Sequence, residues 1–372
     1  MREQYYYDEP YLKEYSSYVA AVNGKGIILD STISYAEGGG QPGDRGTING
    51  ISYSNTIHEG DHILHVVDPS SFKVGDEVHI QLDWPHRYDF MQQHTAQHLL
   101  SGLMFTEFGI GTLAVHQGDE ILTIETDRMD IPEETLLSLE EKANRKICEN
   151  HKVSYLELSH ADAEKLGLRR SIKVEGDVRI VVIEGVDKIA CGGIHTATTG
   201  EIGSIIYMGS ELIRGHVRTI WKTGDRAVRE RRANAEVVKE LSRLLSSPRE
   251  KISSQVTSLL EQISNLKHQK AVLEKEVAIK LYDMKESVFV SSVPLSSYQD
   301  IEADRNFAAI YTDEDRLNWL LRCEDPNVFK AFKEHFSSLG LKGGGRGPMY
   351  QGSGDKAKID ELIKTLEGLL DE

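Results

Sequence analysis

Short apolar stretches separated by glycine, asparagine and aspartate run through the first ~85 residues, with little helical periodicity. Residues 18–22, 26–29, 63–67 and 78–82 read as strands, and a small β-barrel or sandwich ending at the Trp84-Pro85 step is the expectation. From Arg87 the period changes: Phe90, Met91, Thr95, His98, Leu99 and Leu103 recur at three- and four-residue intervals, the mark of a helix. Strands near 113–115 and 121–125 follow. Pro132 then opens a helix reaching about residue 150, and 153–158, 178–183 and 202–208 are further strand candidates. This middle section reads as α+β. A helix over 224–245 is broken by Ser246-Ser247-Pro248.

The cleanest periodicity comes next. Ile252, Val256, Leu259, Ile263, Leu266, Lys270, Leu273, Val277, Lys280 and Met284 follow a 4-3-4-3 spacing, a coiled-coil seam interrupted by two lysines. The Pro-containing break suggests an antiparallel hairpin in cis, with a homodimeric coiled coil as the competing arrangement. Beyond Ser287, strand-like 288–290 and 307–311, a helix near 328–339, a glycine-rich run over 343–354 and a final helix form a last unit. The expected organisation is a β-barrel domain over 1–86, an α+β domain over 87–223, a helical-hairpin or coiled-coil linker over 224–286, and a C-terminal α/β domain over 287–372.

Composition narrows the function classes. A chain of 372 residues exceeds one ordinary core. Its net charge of −16 argues against a wholesale basic nucleic-acid wrapper while leaving room for a local basic face. No apolar run approaches the ~18 residues of a membrane span, and the opening Met-Arg-Glu-Gln-Tyr-Tyr-Tyr has no apolar core for a secretory signal. A cytoplasmic, soluble, multidomain protein is expected. Three cysteines cannot build a disulfide framework at this size. Cys148 and Cys323 read as small buried hydrophobes, whereas Cys191 stands in Ala-Cys-Gly-Gly-Ile-His, where glycines free the backbone to turn a thiolate and an imidazole inward.

Two ligand pairs carry the chemistry. His94 and His98 lie at i and i+4 on the predicted helix, so both imidazoles project from one face. Cys191 and His195 repeat that spacing in a glycine-rich loop. Three imidazoles and a thiolate form a credible tetrahedral set for Zn²⁺. Thr95 stands where the metalloprotease motif requires glutamate as general base, so a peptidase loses its central group. A purely structural zinc is the alternative, because four protein ligands close the coordination sphere.

His94-Thr-Ala-Gln-His98-Leu-Leu-Ser, together with Cys191-Gly-Gly-Ile-His195-Thr-Ala-Thr-Thr-Gly-Glu-Ile-Gly203, resembles the editing domain of alanyl-transfer-RNA synthetases. Glu37-Gly-Gly-Gly-Gln-Pro-Gly-Asp44-Arg-Gly46 looks like the glycine-rich motif preceding that domain. The helical pair and Gly343-Gly-Gly-Arg346 with Gln351-Gly-Ser-Gly354 are similar to the synthetase's C-terminal domain, also found in the DHH phosphoesterase superfamily. With no recognisable aminoacylation segment, the chain resembles the free-standing, long-form alanyl-transfer-RNA editing hydrolases (the AlaX type). The resemblance implies zinc held by His94, His98, Cys191 and His195. It implies hydrolysis of the ester joining serine or glycine to the 3′ adenosine of mischarged alanine tRNA. A buried polar group that bonds the serine hydroxyl is left unpaired by alanine, and Gln41, Thr95 and Gln97 are the candidates for that catalytic and discriminating role.

Seven basic residues, Arg214, Arg218, Lys222, Arg226, Arg229, Arg231 and Arg232, stand against Asp225 and Glu230, a local +5 just beyond the ligand loop. Lys342, Arg346, Lys356 and Lys358 against Asp355 give a second basic cluster. Phosphate contacts position RNA without reading its sequence, so such clusters suffice for docking. The resemblance implies that the C-terminal unit grips the tRNA body, with homodimerisation through that unit or the linker as a further possibility. A noncatalytic RNA-binding or synthetase-partner protein with structural zinc is the alternative function.

Overall fold

The computed structural model describes residues 4–172, 176–314 and 316–371. Met1, Arg2 and Glu3 of the opening segment and Glu372 of the last one lie outside the described residues. The chain divides into two compact units, Met1–Val238 and Lys239–Glu372, a coarser division than the four segments expected from sequence. No helix among the described residues is long and apolar enough to cross a membrane.

The first unit begins with β1 (Glu14–Asn23), β2 (Gly26–Leu29), β3 (Gly46–Ile48), β4 (Ile51–Tyr53), β5 (Thr56–Glu59), β6 (His62–His65) and β7 (Glu77–Leu82). They form one antiparallel sheet in the order β4-β3-β7-β1-β2-β6-β5. The sheet ends on β4 and β5, so the expected barrel is not formed. Alternation along a strand reveals which face is buried, but closure depends on whether the outermost strands meet in register, and that is a tertiary matter. Inward residues Val19, Ile27, Ile48, Val78 and Ile80 make its core.

Helix α1 (Trp84–Phe108) follows directly. Asp83 caps it by accepting from the His86 N–H, Pro85 occupies the first turn, and Gly109 ends it in the left-handed conformation. Every residue from Phe90 to Met104 is buried, polar ones included. β8 (Thr112–Gln117), β9 (Leu122–Thr126), α2 (Glu133–Glu149), β10 (Val153–Ser159), α3 (His160–Glu164), β11 (Asp177–Ile183), β12 (Asp187–Ala190), β13 (Ile205–Ile213), β14 (His216–Thr223) and α4 (Gly224–Leu244) complete the series. The sheets β13-β14-β9-β8 and β10-β11-β12 supply the walls around α1. Leu99, Leu100, Leu103 and Met104 join Leu136, Leu139, Ile124 and Trp221 in the largest core. Removing a fully buried leucine such as Leu99 costs about 2–5 kcal/mol.

The second unit contains α5 (Ile252–Asp283), β15 (Val288–Ser291), β16 (Phe307–Thr312), β17 (Leu317–Arg322), α6 (Pro326–Glu334), α7 (Phe336–Leu339), β18 (Lys342–Arg346), β19 (Met349–Gly354) and α8 (Ile359–Leu370). Its sheet runs β15-β16-β17-β19-β18. Alternate residues face opposite ways: Ala308, Ile310, Trp319 and Leu321 pack with Phe332 of α6 and Leu362 of α8, while Phe307, Ala309 and Leu320 pack with Ala278 and Tyr282 of α5. Only β15 and β16 pair in parallel, so this unit is α+β rather than the expected α/β. The glycine-rich run is a hairpin, not a loose loop. A Cβ on Gly343 would come within 2.6 Å of the Trp319 ring, so glycine lets the edge strand lie against it. Along α5, Val256, Leu259, Ile263, Leu266 and Leu273 are exposed, so the heptad seam has the right period but no covering partner among the described residues. Cys323 is buried as expected, but Cys148, near the end of α2, is exposed.

Candidate metal centre

The polar stripe of α1 demands partners, since buried polar groups are almost always bonded. His94 and His98 meet the loop that follows β12, which carries Cys191 and His195. One ligand atom from each of these four residues lies within 4.8 Å of the others. The Cys191 sulfur is 3.4 Å from His94 Nε2 and 3.6 Å from His195 Nε2. A tetrahedral zinc, with bonds of about 2.3 Å to sulfur and about 2.0 Å to nitrogen, has S···N edges of about 3.5 Å. The donor set therefore suits the metal in type, and these two sulfur–nitrogen edges match its spacing.

Burial sets the protonation states that a metal needs. It holds His94 down to about 3, with the Arg179 charge adding to the effect. His98 and His195 are likewise pushed well below the ordinary histidine value by burial and by the neighbouring imidazoles. All three are neutral and keep a lone pair for coordination. Burial raises the Cys191 thiol, opposed by the Gly193 N–H and by Arg179, so metal binding would release its proton.

Groups behind the ligands orient them. Gln41 Oε1 accepts from the Ile194 N–H at 3.1 Å, which fixes the amide's orientation, and lies 2.8 Å from His94 Nδ1. His94 must donate through Nδ1, leaving Nε2 as the free donor atom. Asp187 Oδ2 lies 3.7 Å from His98 Nδ1, and the same carboxylate is gripped by Arg169 at 2.9 and 3.1 Å. Arg179 donates to the carbonyls of Cys191 and Gly193 at 2.9 and 2.8 Å, while its guanidinium lies over the rings of Tyr155 (3.9 Å) and Tyr7 (4.7 Å). Tyr7 in turn donates to the Gly192 carbonyl at 2.9 Å. Gly193 is indispensable here, because a Cβ would sit 2.1 Å from His94 Cε1 and 2.9 Å from Gln41 Oε1. His98 Nδ1 and His195 Nδ1 are buried with no hydrogen-bond partner.

The other sequence candidates are placed as follows. Thr95 donates to the Met91 carbonyl and accepts from the Thr196 N–H and hydroxyl, tying the ligand loop to α1. Gln97 donates to Ser101 at 3.0 Å. Among the basic cluster, Arg218 pairs with Glu125 and Glu211, Lys222 with Glu230, and Arg231 with Glu140. Arg226 is buried against Asp89 and the Gly118 carbonyl. Arg214, Arg229 and Arg232 are exposed, as are Lys342 and Arg346 on β18. Glu230 was already part of the +5, but Glu125, Glu211, Asp89 and Glu140 lie outside the counted run and balance much of it. Sequence reasoning missed Asp187, Arg169, Arg179, Tyr155 and Tyr7. Only the adjacent glycines of Cys191-Gly-Gly hinted at the close approach, because the rest come from separate strands and segments.

A cavity of about 410 Å³ opens beside Cys191 and Gly192, with Arg170 and Arg179 in its lining. That volume falls within the range of small-molecule sites.

Comparison with known proteins adds identity to this geometry. The family model described as tRNA synthetases class II (A) matches residues 8–86. Over 98% of its length the chain is 32% identical to the alanine–tRNA ligase of Pyrococcus abyssi, of which it covers 43%. It is 31% identical to the alanyl-tRNA editing protein Aarsd1 of Danio rerio, over 69% of the chain and 63% of that protein. With the Mus musculus protein of the same name the identity is 35%, over 51% of the chain and 47% of the relative. The chain spans less than two thirds of the length of each.

Proposed function

Because the chain is related to the alanine–tRNA ligases and to the alanyl-tRNA editing proteins, we propose that it is a zinc-dependent hydrolase that deacylates mischarged alanine tRNA. Its substrate is the 3′ ester of serine, or of glycine, on the terminal adenosine. The observation that carries this reading is the convergence of three neutral imidazoles and one thiol beside a cavity. His94, His98, Cys191 and His195 would hold the zinc ion. Bound there, it supplies a Lewis acid next to the ester.

The chain's own residues do the rest. Gln41 aims the His94 imidazole, the Asp187 carboxylate stands 3.7 Å behind His98 Nδ1, and Arg179 holds the Cys191 to Gly193 turn through two carbonyls. Discrimination of serine from alanine needs a buried polar group that alanine leaves unpaired. Thr95 has its hydroxyl engaged by Met91 and Thr196, whereas Gln41 keeps its amide N–H₂ and Gln97 its amide oxygen uncommitted among the described residues. Those two are the better candidates. Docking of the tRNA body falls to exposed Arg214, Arg229, Arg232, Lys342 and Arg346. The uncovered α5 seam is where a second copy would dimerise.

The test is deacylation of serylated and alanylated alanine tRNA by the zinc-loaded chain, with Cys191→Ala and with chelator. Loss of the serine ester should be metal-dependent and much faster than loss of the alanine ester. Equal attack on both, or serine loss indifferent to metal, would sink the reading. The four-ligand set also favours a second reading, a noncatalytic RNA-binding or synthetase-partner protein with a closed structural zinc. That protein would bind the RNA without turnover.

A further inference from the structure

Two guanidinium groups beside the candidate metal centre have no carboxylate partner among the described residues. Arg170 and Arg179 both line the cavity that opens at Cys191 and Gly192, together with Ser171 and Asp177. Arg170 donates to the Leu113 carbonyl at 3.2 Å. Arg179 commits one nitrogen, Nη1, to two carbonyls, and its guanidinium lies 3.9 Å from the Tyr155 ring and 4.7 Å from the Tyr7 ring. Their neighbour Arg169 behaves differently, being neutralised by Asp187. So does most of the basic cluster from Arg214 to Arg232, which is matched by Glu125, Glu211, Glu230, Asp89 and Glu140. Apart from exposed Arg214, Arg229 and Arg232, the positive charge here without a carboxylate partner among the described residues borders the cavity, where Asp177 is the one acidic residue of the described lining.

We propose that Arg170 and Arg179 form a phosphate subsite, which takes the 5′ phosphate of the nucleotide whose 3′ hydroxyl carries the ester. The assignment rests on the editing reading above and names where that substrate's backbone is held. An ester placed against Cys191 puts the phosphate of the same nucleotide one ribose away, within the same cavity. Guanidinium groups suit it, because their planar N–H pairs match phosphate oxygens and lose less hydration than an ammonium. Arg179 is already immobilised by its carbonyl and ring contacts, so little further ordering is needed on binding.

A hydrolysis-resistant pair of ligands tests this on the zinc-loaded full chain: 3′-deoxy-3′-(serylamino)adenosine with and without a 5′ phosphate, titrated by calorimetry. A charge-assisted contact of this kind predicts that the phosphorylated ligand binds roughly tenfold or more tightly than the other. Arg170→Gln should bring the two affinities close together, and Arg170→Lys should keep part of the gap. Arg145→Gln, an exposed charge on α2 paired with Glu141, should keep the whole gap. Equal affinities in the parent protein, a gap that survives Arg170→Gln, or failure of both ligands to bind would overturn the subsite. Deacylation of full-length serylated tRNA separates the two ideas. Turnover without phosphate preference removes only the subsite, whereas absence of turnover removes the editing reading itself.

Discussion

His94 can present Nε2 to a metal only if its proton sits on Nδ1, and Gln41 selects that tautomer because its own orientation is fixed by the Ile194 N–H. Replacing Gln41 with leucine leaves two buried donors unpaired and frees the ring to turn. Zinc affinity, read by competition with a chromophoric chelator, should fall by about 10–100-fold, the usual cost of losing such a supporting group. Gly193→Ala should do more damage, since its Cβ would overlap both His94 and Gln41. Undiminished affinity in Gln41→Leu would show that the amide does not set the tautomer. Residues of this kind were only partly legible. Spacing marked His94 and His98 because a helix puts i and i+4 on one face. Gln41 stood out in a glycine-rich motif, yet nothing in the chain tied it to an imidazole 53 residues away.

Between elements, the glycine-rich segment is tied to α1 by a buried ion pair as well as by the Gln41–His94 contact. Arg87, fully buried in the first turns of α1, grips the Asp44 carboxylate and also donates to the Pro10 and Ile33 carbonyls. Asp44 accepts in addition from the Tyr35 N–H. Arg87→Met would strand a buried carboxylate, and urea denaturation should show a loss of about 3–5 kcal/mol. Arg87→Met combined with Asp44→Asn, which keeps an acceptor for Tyr35 without the charge, should recover part of it. A loss confined to the range of a surface pair would refute the pin. The elements themselves were mostly readable: α1, α2, α4 and α5 fall close to their expected spans, because their apolar positions repeat at the helical period. The β18–β19 hairpin was not, because glycine carries no side-chain alternation and reads as a loop unless the Trp319 ring it lies beside is known.

At the scale of the molecule, the candidate metal centre falls within one compact unit and not the other. All four candidate ligands lie within Met1–Val238, and Lys239–Glu372 has separate cores on both faces of its sheet. Zinc that binds only the folded form stabilises the unit that holds it, by mass action. Calorimetry should accordingly resolve a transition that chelation moves to lower temperature and another that it leaves in place. A uniform shift of every transition, or none, would contradict that division.

The sequence alone determined where the long helices lie, which four side chains have ligand chemistry, and which family the motifs resemble. Those properties are local: capping, period and donor type are written within a few residues. The tertiary structure decided the rest. It opened the expected barrel into a sheet, balanced Arg218, Arg226 and Arg231 with remote carboxylates, and left Arg170 and Arg179 beside Cys191 without a carboxylate partner among the described residues. Sheet closure and charge compensation depend on which distant segments meet, and counting along the chain carries no record of that.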